Sequence, residues 1–361
     1  GNPKTAKPNG EYRLSNLPDD VIHRILTSLR DTASAARTAV FSKRWRYLWI
    51  SLPDLSFQIT SFRWEFLVYV LLRRNRNRKL NSFRACIASD TDRFSDEVGL
   101  RNWVIDYVVR AGVCHLDLSH ADPYERFPVP PGLLGCRTLK TLTLGDLDVT
   151  VLSSSAACFH GVTDLCLDNC AFRGHFDVSA IFPNLVKLRL LHTEVSGDDD
   201  HCGTNGFMEI STTQLVYLNM VHLLCQRVKI SAPNLQVFKI SDIGSVISDF
   251  FVFDLPSLRH AEVLLYDDQE ADTVFKLLYW IRNVESLVLS TGTLEDLDEA
   301  GLLKHQTFSF GNLTSLKLLV PKDKPLLSVH EGVKTYLLSG TPHPQNVDID
   351  LDSLPRVPNE D

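Results

Sequence analysis

Apolar residues follow two different periodicities along this chain of 361 residues. Between residues 15 and 56 they recur at helical spacing, and from residue 113 to residue 351 they recur in short phrases of the form LxxLxL. Helical spacing predicts helices with one apolar side, whereas the alternation within the phrases predicts strands with one buried face. The pattern therefore predicts a small helical segment followed by a long series of strands.

The first helix is predicted within SNLPDDVIHRILTSL, residues 15–29. Pro18 suits the first turn of a helix, where no backbone N–H is needed, and Asp19 and Asp20 lie near the positive end of the helix dipole. The apolar stripe that follows consists of Val21, Ile22, Ile25, Leu26 and Leu29. A stripe this broad predicts a helix that another surface must cover.

Two more short helices are predicted directly afterwards. Residues 34–41 form the second, capped by Thr32 or Ser34, and Ser42 caps a third. The third contains Trp45, Leu48 and Trp49. A segment of about forty residues rarely buries enough apolar surface to be stable alone. Its large apolar side chains therefore indicate a partner surface, and packing on the rest of this chain is the alternative.

Self-similarity dominates the remainder of the chain. Phrases that match LxxLxL, or a weaker form of it, begin at residues 113, 139, 162, 185, 215, 235, 258, 284, 313 and 344. Successive starts lie 20 to 31 residues apart, which is the spacing of an irregular leucine-rich repeat. Each repeat is predicted to place one strand in a parallel sheet and to return along the outer side, so that stacked neighbours form the core. Before the first repeat, residues 62–72 and 100–110 have helical periodicity and residues 82–88 resemble a strand, which predicts an atypical capping unit.

Composition narrows the classes of function. The formal charge of −7 and a pI near 5.9 argue against an overall attraction to nucleic acid or to anionic membranes. The longest wholly apolar run, residues 66–72, is far below the length of about 18 residues that spans a bilayer. The eight cysteines include no CxxC pair, which indicates reduced thiols. We expect a soluble protein of the nucleus and/or cytoplasm, with neither nucleic acid nor membrane as a partner.

Strand alternation assigns one exposed face to the repeats. The leucines of the LxxLxL template point inward, and the residues between them face the concave surface. A mixed polar and aromatic group in the central repeats is typical of a protein-binding surface. Its members are Lys187, Arg189, Tyr217, Asn219, Lys239, His260 and Glu262. The alternative is a sheet face that is merely solvated.

Two other clusters invite chemical interpretations. Residues 158–175 hold several Cys and His residues, but the template directs Cys166 outward and Cys170 inward, so no metal or other cofactor is expected. The basic run RRNRNRK, residues 73–79, is a nuclear import signal, a phosphate contact or a solvated loop. The chain contains no GxxxxGK[ST], GxSxG or HExxH motif, which favours a non-catalytic protein.

The helical segment also resembles a known family. LSNLPDDVIHRILTSL, followed by AARTAVFSKRWRYLWISLPDLSF, resembles the F-box motif of plant F-box proteins over residues 12–56. The resemblance implies a three-helix module that docks on the Skp1-type adaptor of a cullin-RING ubiquitin ligase. The positions that it implies face the adaptor are Leu17, Pro18, Val21, Ile25, Leu29, Val40 and Trp45.

Residues 57–351 resemble the leucine-rich F-box proteins of plants, which often continue into an FBD region that is absent or clipped here. The two resemblances together imply an α/β protein that begins with a three-helix F-box and continues as an irregular leucine-rich-repeat solenoid with a parallel sheet. The implied divisions are a flexible tail at 1–11, the F-box at 12–56, a capping and linking unit at 57–112, the repeats at 113–351 and a flexible tail at 352–361.

The implied function is that of a substrate-recognition subunit of an SCF-type ubiquitin ligase. The F-box would bind a Skp1-like adaptor and through it cullin, and the concave face would bind an unknown target protein. Such a subunit acts by proximity, without catalysis of its own or a cofactor. The alternatives are a small-molecule sensor, whose concave face closes on a ligand and a target together, and a non-ligase scaffold that uses the F-box with the adaptor alone.

Overall fold

The structure of the protein, a computed structural model, combines helices with parallel strands. The residues that it describes are 17–29, 31–59, 64–74, 79–87, 97–120, 126–154, 158–197, 206–241, 249–252, 255–265, 271–290, 309–320, 337–338, 341 and 348–353. The chain forms two compact units, Gly1–Ala121 and Asp122–Asp361. The predicted mixed α/β class with parallel strands is confirmed.

Short helices open the first unit, and longer helices then alternate with strands. The helices are α1 (Asp19–Ser28), α2 (Thr32–Arg37), α3 (Lys43–Leu48), α4 (Trp64–Arg73) and α5 (Glu97–Arg110), with 3₁₀ turns at Thr38–Val40 and Trp49–Ser51. The strands are β1 (Asp54–Ile59), β2 (Ser82–Ile87) and β3 (His115–His120), which pair in parallel. The helices predicted at residues 62–72 and 100–110 are present as α4 and α5.

The caps of the short helices differ in one respect from those predicted. Asp31, rather than Thr32 or Ser34, caps α2. Its carboxylate accepts hydrogen bonds from the backbone N–H groups of Ala33 and Ser34, at 3.2 and 2.9 Å. The hydroxyl of Thr32 instead accepts a hydrogen bond from the backbone N–H of Ser56 at 2.9 Å, which ties α2 to β1. Ser42 caps α3 as predicted.

A buried arginine holds the end of the helical segment. The Arg74 side chain is 3% exposed, and its guanidinium donates hydrogen bonds to the backbone carbonyls of Ile50 (3.1 Å), Lys79 (3.0 Å) and Leu52. A guanidinium has five fixed donors and therefore suits three carbonyls that approach from different parts of the chain. The basic run is accordingly not wholly a solvated loop, because Arg74 belongs to the interior. Its positions 75–78 lie outside the described residues.

The second unit consists mainly of short strands. The strands are β4 (Phe127–Pro128), β5 (Thr141–Gly145), β6 (Leu147–Asp148), β7 (Asp164–Asp168), β8 (Ala171–Arg173), β9 (His175–Asp177), β10 (Lys187–Leu191), β11 (Glu194–Ser196), β12 (Phe207–Ile210), β13 (Tyr217–Val221), β14 (Leu224–Cys225), β15 (Arg227–Ile230), β16 (Val237–Ser241), β17 (Asp249–Val252), β18 (His260–Leu264), β19 (Ser286–Ser290), β20 (Ser315–Val320) and β21 (Asp348–Ser353). The helices are α6 (Thr150–Ser154), α7 (Val178–Ile181) and α8 (Ala271–Trp280), and a 3₁₀ turn spans Pro131–Gly135. Each LxxLxL phrase overlaps a strand of the structure, the first of them β3, and the last, at 344–349, overlaps β21 in its two described residues.

These strands form parallel sheets. The main sheet of the second unit runs in the order β5-β7-β10-β13-β16-β18-β19-β20-β21, so consecutive template phrases are neighbours. Two smaller sheets, β14-β11-β8-β6-β4 and β17-β15-β12-β9, are formed by the segments that connect the main strands. The single strand predicted for each repeat was therefore incomplete, because the connecting segments also pair with their counterparts in the next repeat.

A left-handed corner follows each of four consecutive main strands. Asp146, Asn169, His192 and His222 have φ of 57°, 48°, 48° and 48°. Asn, Asp and His tolerate this conformation better than other non-glycine residues. The backbone N–H of each corner residue donates to a carbonyl at the end of the next main strand, for example from Asn169 to Leu191 at 2.8 Å. The corners thus turn the chain out of the main sheet without leaving an unpaired donor.

In the part of the chain that the structure describes, no helix combines the length and the apolar content that crossing a bilayer requires.

We expect Arg74→Met to lower the free energy of unfolding of the first unit by about 3 kcal/mol, because it leaves three backbone carbonyls without the hydrogen bonds that the guanidinium donates to them. Four of the five tryptophans, Trp45, Trp49, Trp64 and Trp103, lie in the first unit, so tryptophan fluorescence during urea titration reports mainly on it. Arg73→Met is the matched control, since Arg73 is exposed and lies over the Tyr69 ring. Equal midpoints for the two variants would contradict a structural role for Arg74.

Candidate protein-interaction surfaces

The apolar stripe of α1 is divided between the interior and the surface. Ile22 and Leu26 are 0% and 2% exposed and form the buried side of the helix. Val21 and Ile25, each one position earlier, are only half-buried, and Leu29 is 39% exposed. Residues four apart lie in a row along a helix, and Leu17, which is also half-buried, continues this row backwards. We call Leu17, Val21, Ile25 and Leu29 the helix row.

An exposed proline, Pro18, directly follows the first residue of the helix row. Pro18 is the N-cap residue of α1, with φ −58° and ψ 152°, and no side chain caps the helix there. Its carbonyl accepts the first helical hydrogen bond from the Ile22 N–H at 3.0 Å. The rigid φ of Pro18 therefore sets the direction from which the chain enters α1.

Exposed apolar side chains continue through the segment that precedes and forms α3. Val40 is 83% exposed, Phe41 is 53% exposed and Tyr47 is 69% exposed. Side chains of this size and exposure on one short segment are typical of a surface that binds another protein. Phe41 and Tyr47 were not among the residues predicted from the sequence.

Trp45 is placed in the interior, contrary to its predicted position at a partner surface. Its side chain is 1% exposed, and its ring meets the edge of the Phe41 ring at a centroid distance of 5.5 Å. Trp49 is likewise buried, and it stacks on Phe66 at 6.0 Å. The indole rings thus form the core of the helical segment, because no other residue type there has comparable apolar volume. The buried Trp45 ring thus packs against the partly exposed ring of Phe41.

Polar contacts fix α1 against the elements that follow it. The Arg44 Nε donates a hydrogen bond to Asp19 Oδ1 at 2.6 Å, which joins α3 to the first turn of α1. His23 Nε2 lies 3.2 Å from the Ser51 hydroxyl. Both partners of the Arg44 pair are largely exposed, so the pair orients the helices more than it stabilises them.

The predicted target-binding residues share one face of the main sheet. Parallel register places Lys187 beside Tyr217, and Arg189 beside Asn219. Lys239 lies beside Glu262, and His260 is in register with Val237 of the neighbouring strand. The intervening positions, such as Leu188 and Leu190, are fully buried. We call the outward rows of β10, β13, β16 and β18 the sheet face.

Charge on the sheet face is unevenly paired. Lys239 donates a hydrogen bond to the Glu262 carboxylate, and both side chains are mostly covered. Lys187 lies 3.8 Å from Asp164 on the preceding strand, and its side chain is 63% exposed. Arg189 is exposed, and no carboxylate among the described residues forms an ion pair with it. Positive charge is therefore available at β10 and neutralised at β16.

Two of the three cysteines within residues 158–175, Cys166 and Cys170, have different surroundings. Burial raises the pKa of the Cys170 thiol to about 12. It therefore remains protonated, and its Sγ–H donates to the Leu144 and Asp168 carbonyls at 3.3 and 3.4 Å. Cys166 lies in the outward row, in register with Arg189, but it is 8% exposed and not open as predicted. Within the described residues, no group of three or more His, Cys, Asp and Glu side chains is arranged to hold a metal ion.

A second apolar surface lies on the outward sides of α4 and α5. A groove of about 210 Å³ is lined by Leu71, Leu72, Trp103, Asp106, Tyr107, Arg110 and Ala111. Leu72 is 64% exposed and Trp103 is 36% exposed. The periodicity of these two segments predicted helices. It did not predict that some of their large apolar side chains, such as Leu72 and Trp103, remain exposed.

Comparison with known proteins decides the family of the helical segment. Residues 14–57 match the family model described as F-box domain. The chain carries an F-box domain. The F-box protein At1g60400 of Arabidopsis thaliana is 26% identical over 339 residues, which cover 90% of this chain and 82% of that protein.

Other relatives from Arabidopsis thaliana carry leucine-rich repeats in their names. The putative F-box/FBD/LRR-repeat protein At4g03220 is 28% identical over 85% of this chain and 68% of its own length. F-box/LRR-repeat protein 25 is 32% identical over 117 residues, which cover 32% of this chain and 43% of that protein. These matches confirm the resemblance to plant F-box proteins with leucine-rich repeats.

We expect the stability of the second unit to decrease between pH 7.5 and pH 5, in part through His260. Burial, and then the neighbouring Lys239, lower the pKa of His260 below its usual value of 6.5, and Glu262 opposes this only partly. A lowered pKa in the folded state means that the unfolded state binds the proton more readily, so the stabilisation is present above pH 6.5 and is lost on acidification. Amide hydrogen exchange of β16–β19 as a function of pH measures the effect. In the His260→Gln variant, stability should decrease less steeply as the pH falls. Parallel pH profiles for the two proteins would contradict the assignment.

Proposed function

We propose that this protein is the substrate-recognition subunit of an SCF-type E3 ubiquitin ligase. The observation that carries the proposal is the F-box domain at residues 14–57, in which apolar side chains remain exposed. The F-box domain would bind a Skp1-like adaptor and through it cullin. Burial of the helix row, Val40 and Phe41 would supply the binding free energy, because transfer of apolar surface from water is the main driving force of such association.

We also propose that the template phrases build an irregular leucine-rich-repeat solenoid over residues 113–351. Three facts support this: neighbouring strands correspond to consecutive phrases, their register is parallel, and the inward leucines are buried. In this proposal residues 12–56 form the F-box, residues 57–112 form a capping and linking unit, and residues 1–11 and 354–361 are tails, since residues 352 and 353, predicted to begin the second tail, belong to β21. The relatives named as LRR-repeat proteins support the same interpretation.

The sheet face would bind the target protein. It combines a charged pair, an exposed arginine and a tyrosine within a row of half-buried positions. An anchored target would then be held where a ubiquitin-carrying enzyme, brought by cullin, reaches its lysines. The subunit would act through proximity and orientation and would perform no bond chemistry itself. The place of action would be the nucleus, the cytoplasm or both.

We expect the double variant Leu29→Asp/Val40→Asp to lose capture of a purified Skp1-like adaptor by at least about a hundredfold in affinity. Both side chains are exposed, so the new charges do not enter the core, whereas a docked adaptor would bury them without partners. Surface plasmon resonance with immobilised adaptor measures the loss.

Thr27→Asp is the matched control on the same helix. Thr27 is exposed, and it lies about 200° around the helix from both Ile25 and Leu29. Its variant should bind the adaptor with unchanged affinity, and circular dichroism should be identical for all three proteins. Unchanged binding by the double variant would refute this docking surface. Capture of adaptor without cullin by the wild-type protein would instead favour the non-ligase scaffold.

A further inference from the structure

Two neighbouring strands at the centre of the sheet face bring four hydrogen-bond donors together. Lys187 and Arg189 of β10 lie in register with Tyr217 and Asn219 of β13. Side chains two positions apart on a strand share a face, and they lie about 7 Å apart, whereas neighbouring strands are about 4.8 Å apart. The four side chains therefore occupy the corners of a small rectangle on the exposed side of the sheet. We call them the donor quartet.

The donor quartet is not neutralised by its own chain. Lys187 is largely exposed and has only a loose contact with Asp164 at 3.8 Å. For Arg189, Tyr217 and Asn219, the described part of the chain supplies no side-chain hydrogen-bond partner. Two strands further on, the equivalent cation Lys239 is satisfied by Glu262. The quartet is thus a local concentration of positive charge and of donors within a protein of net charge −7.

An apolar pair adjoins the donor quartet. Leu191 and Val221 are in register with each other, two positions beyond Arg189 and Asn219, and both are half-buried on the same face. Along β10 and β13 the sheet face therefore presents, in order, a row with Lys187, a row with Arg189 and the apolar pair. A ligand complementary to these rows has an anionic group followed closely by an apolar group.

We propose that the donor quartet binds an anionic side chain of the target protein, a carboxylate or a phosphoryl group, and that Leu191 and Val221 contact an apolar residue two positions away from it. The inference rests on the proposed function, in which this face binds the target. The Arg189 guanidinium provides a fork for two oxygens, Lys187 provides a point charge, and the Tyr217 hydroxyl and Asn219 amide complete the donor set. The apolar pair favours an acidic peptide segment over a free anion, because a free anion leaves that pair without a contact.

The test uses the full chain and fluorescein-labelled synthetic peptides of sequence GGEGLGG, in which the glutamate and the leucine are two positions apart. Analogues carry phosphoserine or lysine in place of the glutamate, or glycine in place of the leucine. Fluorescence polarisation should show the glutamate and phosphoserine peptides binding at least about tenfold more tightly than the lysine peptide, since charge-assisted hydrogen bonds are made only with an anion. Removal of the leucine should weaken binding by about threefold or more.

Variants locate the site. Lys187→Gln/Arg189→Gln should reduce the affinity for the acidic peptides by about tenfold or more and abolish the preference over lysine. Arg259→Gln is the matched control, because Arg259 is exposed just before β18 and is not part of the sheet face. Unchanged affinity in the double variant, or an equal loss in the control, would overturn the proposal.

Inorganic phosphate distinguishes a peptide site from a free-anion site. We expect phosphate at physiological ionic strength to compete only weakly, whereas binding of phosphate as tight as that of the phosphoserine peptide, with no effect of the leucine, would overturn the assignment to a protein segment. Adaptor binding by the same variants is measured in parallel and should not change. Failure of the wild-type protein to bind adaptor would count against the proposed function alone, and equal affinity of the wild-type protein for the acidic and lysine peptides would count against the donor quartet alone.

Discussion

The register of parallel strands in the main sheet of the second unit determines which side chains can act together. Each outward residue lies beside its counterpart on the next strand, and each inward leucine stacks on another leucine, as Leu188 does on Leu165 and Leu218. A slip by one residue would expose the leucines and bury the charges of the sheet face, so the hydrophobic effect enforces a single register. The proximity of Lys187, Arg189, Tyr217 and Asn219 is a direct consequence of this constraint.

The left-handed corners maintain that register from one strand to the next. At each corner a backbone N–H is committed to the following strand, and buried side chains satisfy the carbonyls that the turn leaves behind. Cys170 and Thr193 do so at equivalent positions, directly after Asn169 and His192. Because the polar groups of the turns are paired, the connecting segments can form the two smaller sheets instead of remaining solvated loops.

The helical segment is small, and it has to be stable while some of its apolar side chains stay exposed. Its largest side chains, Trp45 and Trp49, are buried, and Arg74 donates hydrogen bonds to backbone carbonyls at the end of the segment. Leu29, Val40 and Phe41 remain outside. A segment that buried all of its apolar side chains would have nothing to offer a partner, and one that buried none would not fold.

The sequence by itself determined the strands and the exposed face of the repeats, since alternation at positions such as Leu188 and Arg189 depends only on strand geometry. It also determined that the helices before residue 56 are amphipathic and form an F-box domain. Only the tertiary structure decided which member of a broad stripe is buried: Ile22 and not Val21, Trp45 and not Val40. It also decided the placement of Arg74 in the interior and the presence of the smaller sheets. Those outcomes depend on contacts between residues that are distant in sequence, and local periodicity carries no information about them.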